Sequence, residues 1–167
     1  VSQETSAAAI VEEGRLVQLG ELKMVGFPVI VSFNDGDFAK IGQTKALFLK
    51  RKDEIKHAVH TEYYWAPWYS CDVMFTYFYC LQVSELSDIP EGMMGFTIPA
   101  EEYVRVAYDG PKPMDPDPYG MLAEHRRRNG LSEKENALII EKYPFDKDCF
   151  EDRLTVEVFG PVIRTSQ

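Results

Sequence analysis

The stretch Tyr63-Tyr64-Trp65-Ala66-Pro67-Trp68-Tyr69-Ser70-Cys71-Asp72-Val73-Met74-Phe75-Thr76-Tyr77-Phe78-Tyr79 holds both tryptophans of the chain and five of its nine tyrosines. Its second half alternates with period two. Val73, Phe75, Tyr77 and Tyr79 fall on one face of a strand, and Met74, Thr76, Phe78 and Cys80 on the other. Both faces carry large rings, so neither should meet bulk water. One face requires a core. The other requires a second layer, a partner or a ligand pocket, and tyrosine and tryptophan, apolar bodies with a polar tip, suit a ligand-lined cavity as well as a core. Residue types alone leave both readings open.

Outward from this stretch the chain punctuates itself. Upstream, residues 1–19 begin polar and small and read as an N-terminal arm or linker, followed by a single domain over 20–167. A strand is expected over 21–33, with Pro28 marking an edge or a bulge. Asn34-Asp35-Gly36-Asp37 supplies a turn and a helix cap. The helix should run from Phe38 to His57, with Phe38, Ile41, Ala46, Leu47, Phe48 and Ile55 as its core stripe. Downstream of the strand over 73–83, Met93 to Tyr108 is extended but broken at Ile98-Pro99-Ala100 into two half-strands. A helix over 117–128 stops at Asn129-Gly130. Strands over 137–143 and 154–159 close the chain, separated by an acidic loop. The order strand, helix, strand, strand thus occurs twice. This predicts an α+β fold of two pseudo-symmetric βαββ units. They would form an antiparallel sheet with helices on one face and a ligand cleft on the other.

The chain has 167 residues, with 27 acidic side chains against 18 basic ones and a net charge of −9. That balance opposes direct nucleic-acid binding, which needs clustered cations. The two short basic runs, Lys50-Arg51-Lys52 and Arg126-Arg127-Arg128, read as solvated helix ends. No apolar run is long enough to cross a membrane. Cys71, Cys80 and Cys149 are odd in number and lack paired metal spacing, which fits free thiols in a reducing cytoplasm. His57 and His60 have no further ligands nearby, and there is no phosphate loop, dinucleotide glycine pattern or HExxH motif, so no metal and no cofactor is expected.

Glu141 carries the most chemistry. In Ala137-Leu138-Ile139-Ile140-Glu141-Lys142-Tyr143 it shares a strand face with Ile139 and Tyr143. If that face lines a cleft, a carboxylate stands among rings, where its charge is costly and a cationic ligand relieves the cost. The alternative is a strand-end glutamate facing water or paired with Lys142. Glu101 and Glu102 read as a solvated turn.

The chain resembles the GyrI-like small-molecule-binding domains, which occur as effector domains of bacterial AraC- and MerR-type transcription activators and as stand-alone proteins. The matching pieces run from residue 20 to 163. They include Pro90-Glu91-Gly92-Met93 leading to Ile98-Pro99-Ala100 and Tyr103, then Asn129-Gly130-Leu131, Ile140-Glu141-Lys142-Tyr143 and Glu157-Val158-Phe159-Gly160-Pro161-Val162. The resemblance implies two βαββ units around a central cleft. It implies that Glu141 is the cleft glutamate that faces cationic aromatic ligands in multidrug-responsive members. Tyr103 and Phe159 fall where that family places aromatics, and Tyr143 is the tyrosine after its glutamate. No helix-turn-helix segment is present, so DNA binding does not carry over. Gly160 replaces the aliphatic residue usual before the last proline, which predicts a bent or shortened final strand.

The expected function is binding of a hydrophobic, cationic, aromatic small molecule as a drug sensor or sequestering module. Glu141 supplies the charge, and Tyr77, Tyr79, Trp65, Trp68, Tyr103, Tyr143, Phe159 and Ile139 supply the walls. Two alternatives stand beside it. One is a hydrolase that opens strained cyclopropane rings with Glu141 as general base, some GyrI-like proteins resembling such enzymes. The other is an interaction module for a regulator protein or a topoisomerase.

Overall fold

The computed structural model describes residues 9–34, 36–147 and 152–164. Residues 148–151 of the expected acidic loop, Cys149 among them, Asp35 of the expected turn and residues 1–8 of the expected arm lie outside them. Among the described residues nine strands and two α-helices follow one another as β1 (Ile10–Leu19), β2 (Leu22–Ser32), α1 (Ala39–Arg51), β3 (Tyr63–Ser70), β4 (Met74–Val83), β5 (Met94–Ile98), β6 (Glu101–Pro111), α2 (Pro118–Asn129), β7 (Leu131–Glu133), β8 (Ile139–Pro144) and β9 (Arg153–Arg164). All pairings are antiparallel, in the order β1-β6-β9-β8-β3-β4-β2-β5, with β7 on the end of β9.

The expected repeat is visible in that order. β2, α1, β3 and β4 make one unit, and β6, α2, β8 and β9 make the other. They meet edge to edge where β3 pairs with β8. β1 and β5 cover the two outer strands. Residues 10–19, read from sequence as part of a loose arm, are therefore a sheet strand hydrogen-bonded along β6. Their alternation is weak because β1 is an edge strand with few buried side chains.

Local chemistry explains the boundaries. Pro28 lies in β2 beyond the reach of β5, where β2 has a neighbour on one side only. Asp37 Oδ1 accepts the Ala39 N–H at 3.0 Å at the start of α1. α1 ends earlier than expected, tightening into a 3₁₀ turn over Lys52–Glu54. α2 begins as the sequence suggests. The Asp117 side chain accepts the Tyr119 N–H, Pro118 occupies the first turn, and Gly130 closes the helix at φ 66°. β9 continues through Gly160 to Arg164 rather than ending early. A Cβ at Gly160 would stand 3.2 Å from Leu122 Cδ1, so the glycine lets α2 sit close on the strand.

Both helices lie on one face of the sheet. Phe48 of α1 packs with Val25, Phe27, Tyr64, Tyr79 and Leu81. Leu122 of α2 packs with Val104, Val106, Val156, Val158 and Val162. The far face is also a core. Leu22, Met24, Trp65, Phe78, Cys80, Ile98, Tyr103, Ile140 and Phe159 form one cluster, supported by Val17 and Leu19 of β1. Ile98 of β5 and Tyr103 of β6 belong to opposite ends of the strand order yet share this cluster, so the sheet curls strongly around it. This satisfies the requirement, read from the aromatic stretch, that both faces be covered.

Candidate functional site

Glu141 stands on β8 at the seam between the two units. Its cross-strand neighbours are Ala66 on β3 and Val158 on β9. Ala66 is small and fully buried, which leaves room above it for longer side chains to lean in. Three tyrosines do so. The hydroxyls of Tyr77 (β4) and Tyr143 (β8) donate to Oε1, the latter at 2.5 Å, and the hydroxyl of Tyr119 (α2) donates to Oε2. Trp68 (β3) donates its indole N–H to the Tyr119 hydroxyl at 2.9 Å. Among the described residues no ion pair reaches Glu141. Its charge is held by neutral O–H dipoles alone.

These groups floor an open groove of about 480 Å³ lined by Phe33, Trp68, Ser70, Phe75, Tyr77, Tyr119 and Glu141. Phe33 and Phe75 lie 5.5 Å apart, and Phe75 also stacks on Phe38 at 6.0 Å, forming an aromatic lip. The groove opens on the helix-bearing face rather than the far one, because Glu141, Val158, Tyr77 and Trp68 share that side of the curled sheet and α2 contributes Tyr119 from above it.

The ladder beside the carboxylate is interrupted. β3 pairs with β4 at Trp65, Trp68, Tyr69 and Ser70 but not at Ala66 or Pro67, since Pro67 has no N–H to give. Proline in a strand with neighbours on both sides is uncommon, and here it lies next to Ala66, directly across from Glu141.

The structure brings together Glu141, Tyr77, Tyr143 and Trp68. It adds Tyr119, Phe33 and Phe75. Ile139 pairs across from Trp68 and lines the polar cleft beyond it. Tyr79 sits behind Tyr77, edge-on at 5.2 Å, in the core under α1. Trp65, Tyr103 and Phe159 are separated from Glu141 by the sheet itself. They pack on the far face, Phe159 against Trp65 and Tyr103 at 6.2 Å each, with the Trp65 indole N–H buried and unpartnered. Parity explains this. Trp65 and Trp68 are three residues apart and point to opposite sides, and Phe159 pairs with Ile140 rather than with Glu141. Glu101 and Glu102 pair with Lys134 and Arg164.

Tyr119 was legible only weakly. It opens α2 three residues before Leu122, so the two share a helix face, but α2 otherwise carries glycine and charge and shows no clear stripe.

Burial, and next the charge of Glu141, pushes the Tyr119 and Tyr143 hydroxyls well above the ordinary tyrosine value of 10.0. Burial raises Tyr77 as well, reinforced by Tyr143 and Glu141. On the far face, burial pushes Tyr103 up to about 12. The folded state thus holds these protons longer than the unfolded chain does. The resulting stability is complete below about pH 10 and is lost as pH rises above it, at about 1.4 kcal/mol per pH unit for each group. Urea unfolding should therefore show stability falling steadily as the pH rises from roughly 10 to 11. A flat profile over that range would mean the hydroxyls are exposed.

Residues 15–162 match the Cass2 family of integron-associated effector binding proteins. Comparison with curated proteins gives no match. The fold is similar to that of an integron cassette protein from the mobile metagenome of Vibrio cholerae, with 15% identity and a TM-score of 0.63 over 93% of this chain and 99% of that one. It is similar to the EcmrR C-terminal domain, with 18% identity and a TM-score of 0.68 over 92% and 98%. It is also similar to SAV2435, solved bound to tetraphenylphosphonium, with 18% identity and a TM-score of 0.60 over 91% and 94%. At these identities the likeness to solved structures is one of fold.

Proposed function

Because the chain belongs to the Cass2 family of integron-associated effector binding proteins, a family of GyrI-like effector-binding domains, we propose that its groove takes a hydrophobic, cationic, aromatic small molecule. The observation that carries this is Glu141, a half-buried carboxylate whose partners are tyrosine hydroxyls, at the floor of an apolar groove. An anion so placed has lost part of its hydration without gaining a counter-ion. A cation over the groove recovers that loss. Trp68, Tyr77 and Phe75 offer ring faces worth about 0.5–2 kcal/mol each to a desolvated cation. A carboxylate has about four acceptor positions, and the tyrosines take three, which leaves one for a ligand donor. The binding of tetraphenylphosphonium by SAV2435, on the same fold, supports the same choice of ligand class.

The test compares methyltriphenylphosphonium with triphenylphosphine oxide, near-isosteres that differ in charge, by quenching of tryptophan fluorescence. The cation should quench saturably and at lower concentration than the oxide. The quench should vanish in Trp68→Phe and persist in Trp65→Phe, since only Trp68 faces the groove. Equal response to both probes would remove the electrostatic part of the proposal. A cyclopropane compound consumed by the wild type and spared by Glu141→Gln would replace binding with hydrolysis.

A further inference from the structure

The two oxygens of the groove carboxylate are not equivalent. Glu141 Oε1 accepts from two hydroxyls, those of Tyr77 and Tyr143, and Oε2 accepts from one, that of Tyr119. A carboxylate oxygen has room for about two donors. Among the described residues Oε1 is therefore full, and Oε2 has one acceptor position open. The Tyr119 proton is committed. An indole N–H can only donate, so the Tyr119 oxygen accepts from Trp68 at 2.9 Å and its own proton goes to Oε2. The two oxygens also look different ways. Tyr143, a donor to Oε1, packs into the core beneath α1, stacked on Tyr64 at 5.1 Å. Tyr119 and Trp68, the groups beside Oε2, both line the groove.

A ligand that covers the groove displaces water from that open position. The kind of cation then matters. A quaternary centre, with alkyl groups all round its charge, leaves a charged acceptor unpaired, whereas an N–H replaces the lost water with a charge-assisted hydrogen bond. The rings of Phe33, Trp68, Phe75 and Tyr77 serve both kinds alike, because cation–π attraction asks for charge and not for a proton. The count of positions also limits the ligand. A tertiary ammonium has one N–H, and one bond to Oε2 replaces the whole of its hydrogen bonding to water, so neither partner is left short. Resting on the reading of the groove as a cation site, we propose that its preferred ligands are aromatic amines protonated on nitrogen, with an N–H directed at Glu141 Oε2, rather than permanently quaternary cations.

The test titrates two cations of equal charge by calorimetry at neutral pH: naphthylmethyl-dimethylamine, which is protonated there, and its N-methylated salt, naphthylmethyl-trimethylammonium. They differ by one N–H against one N–CH₃. The amine should bind about tenfold more tightly, the scale of one hydrogen bond to a charged acceptor. In Glu141→Gln both should weaken, and the preference should vanish, because the amide nitrogen that faces Tyr119 in place of Oε2 is a donor. If the two cations bind wild type equally, or the quaternary one binds more tightly, the inference is overturned while the groove reading stands. A preference that keeps its size in Glu141→Gln also overturns it, because the extra methyl is then excluded by shape and not by a missing proton. If neither cation binds wild type, the groove reading fails and this inference fails with it.

Discussion

Glu141→Gln should weaken methyltriphenylphosphonium binding by about tenfold to a hundredfold, the cost of removing one charge from a partly desolvated pair, while triphenylphosphine oxide affinity stays within about twofold. Glutamine keeps the shape. Its oxygen can still accept from Tyr77 and Tyr143, and the Tyr119 hydroxyl can turn to accept from the amide nitrogen. The unfolding midpoint should therefore move little, and the affinity loss reports charge rather than collapse of the site. The measurement is a paired titration of both probes against wild type and variant. If both affinities fall together, Glu141 organises the groove sterically and carries no electrostatic selectivity. If neither falls, the ligand does not sit over this carboxylate.

Phe48→Ala should cost about 3–5 kcal/mol and lower the melting temperature by roughly 10 °C. Phe48 is fully buried and is the side chain that seats α1, between Tyr64 at 5.8 Å and Tyr79 at 6.3 Å. Leu47→Ala, one residue away and 41% exposed, should cost less than about 1 kcal/mol. Thermal or urea unfolding of the pair checks the helix orientation directly. Equal losses would mean that α1 is rotated from the position described.

That pair also shows where sequence reasoning ran out. Listing Phe38, Ile41, Ala46, Leu47, Phe48 and Ile55 as one stripe spread it over more of the helix circumference than one contact line can bury. Of these only Phe48 and Ile55 are buried, while Phe38 and Leu47 are exposed. The two-unit architecture was legible because punctuation residues mark it: Ile98-Pro99-Ala100 and Asn129-Gly130 fall at the junctions they predict, and Pro28 lies where β2 has one neighbour only. The membership of β1 in the sheet was not, since an exposed edge strand needs only backbone hydrogen bonds and leaves little pattern. Within the site, period two correctly placed Phe75, Tyr77 and Tyr79 on one face. The same rule applied to Trp65 and Trp68 separates them, and applied across β8 and β9 it sends Phe159 away from Glu141. Tyr119 needed tertiary information, because nothing local says that α2 will lie over β8.

The seam between β3 and β8 sets an order of events as well as a geometry. Ala66 and Glu141 face each other there although they are roughly 75 residues apart in the chain. Each unit has mostly nearer partners, so either can gain much of its sheet before the seam closes, and contacts of long sequence separation tend to form late. Glu141 and two of its hydroxyl donors come from the second unit and Tyr77 from the first. Neither half expressed alone would carry the site. A ligand that needs all of them meets no receptor until the seam has closed, so its presence during refolding should slow the opening of the finished protein and leave the rate of reaching it unchanged.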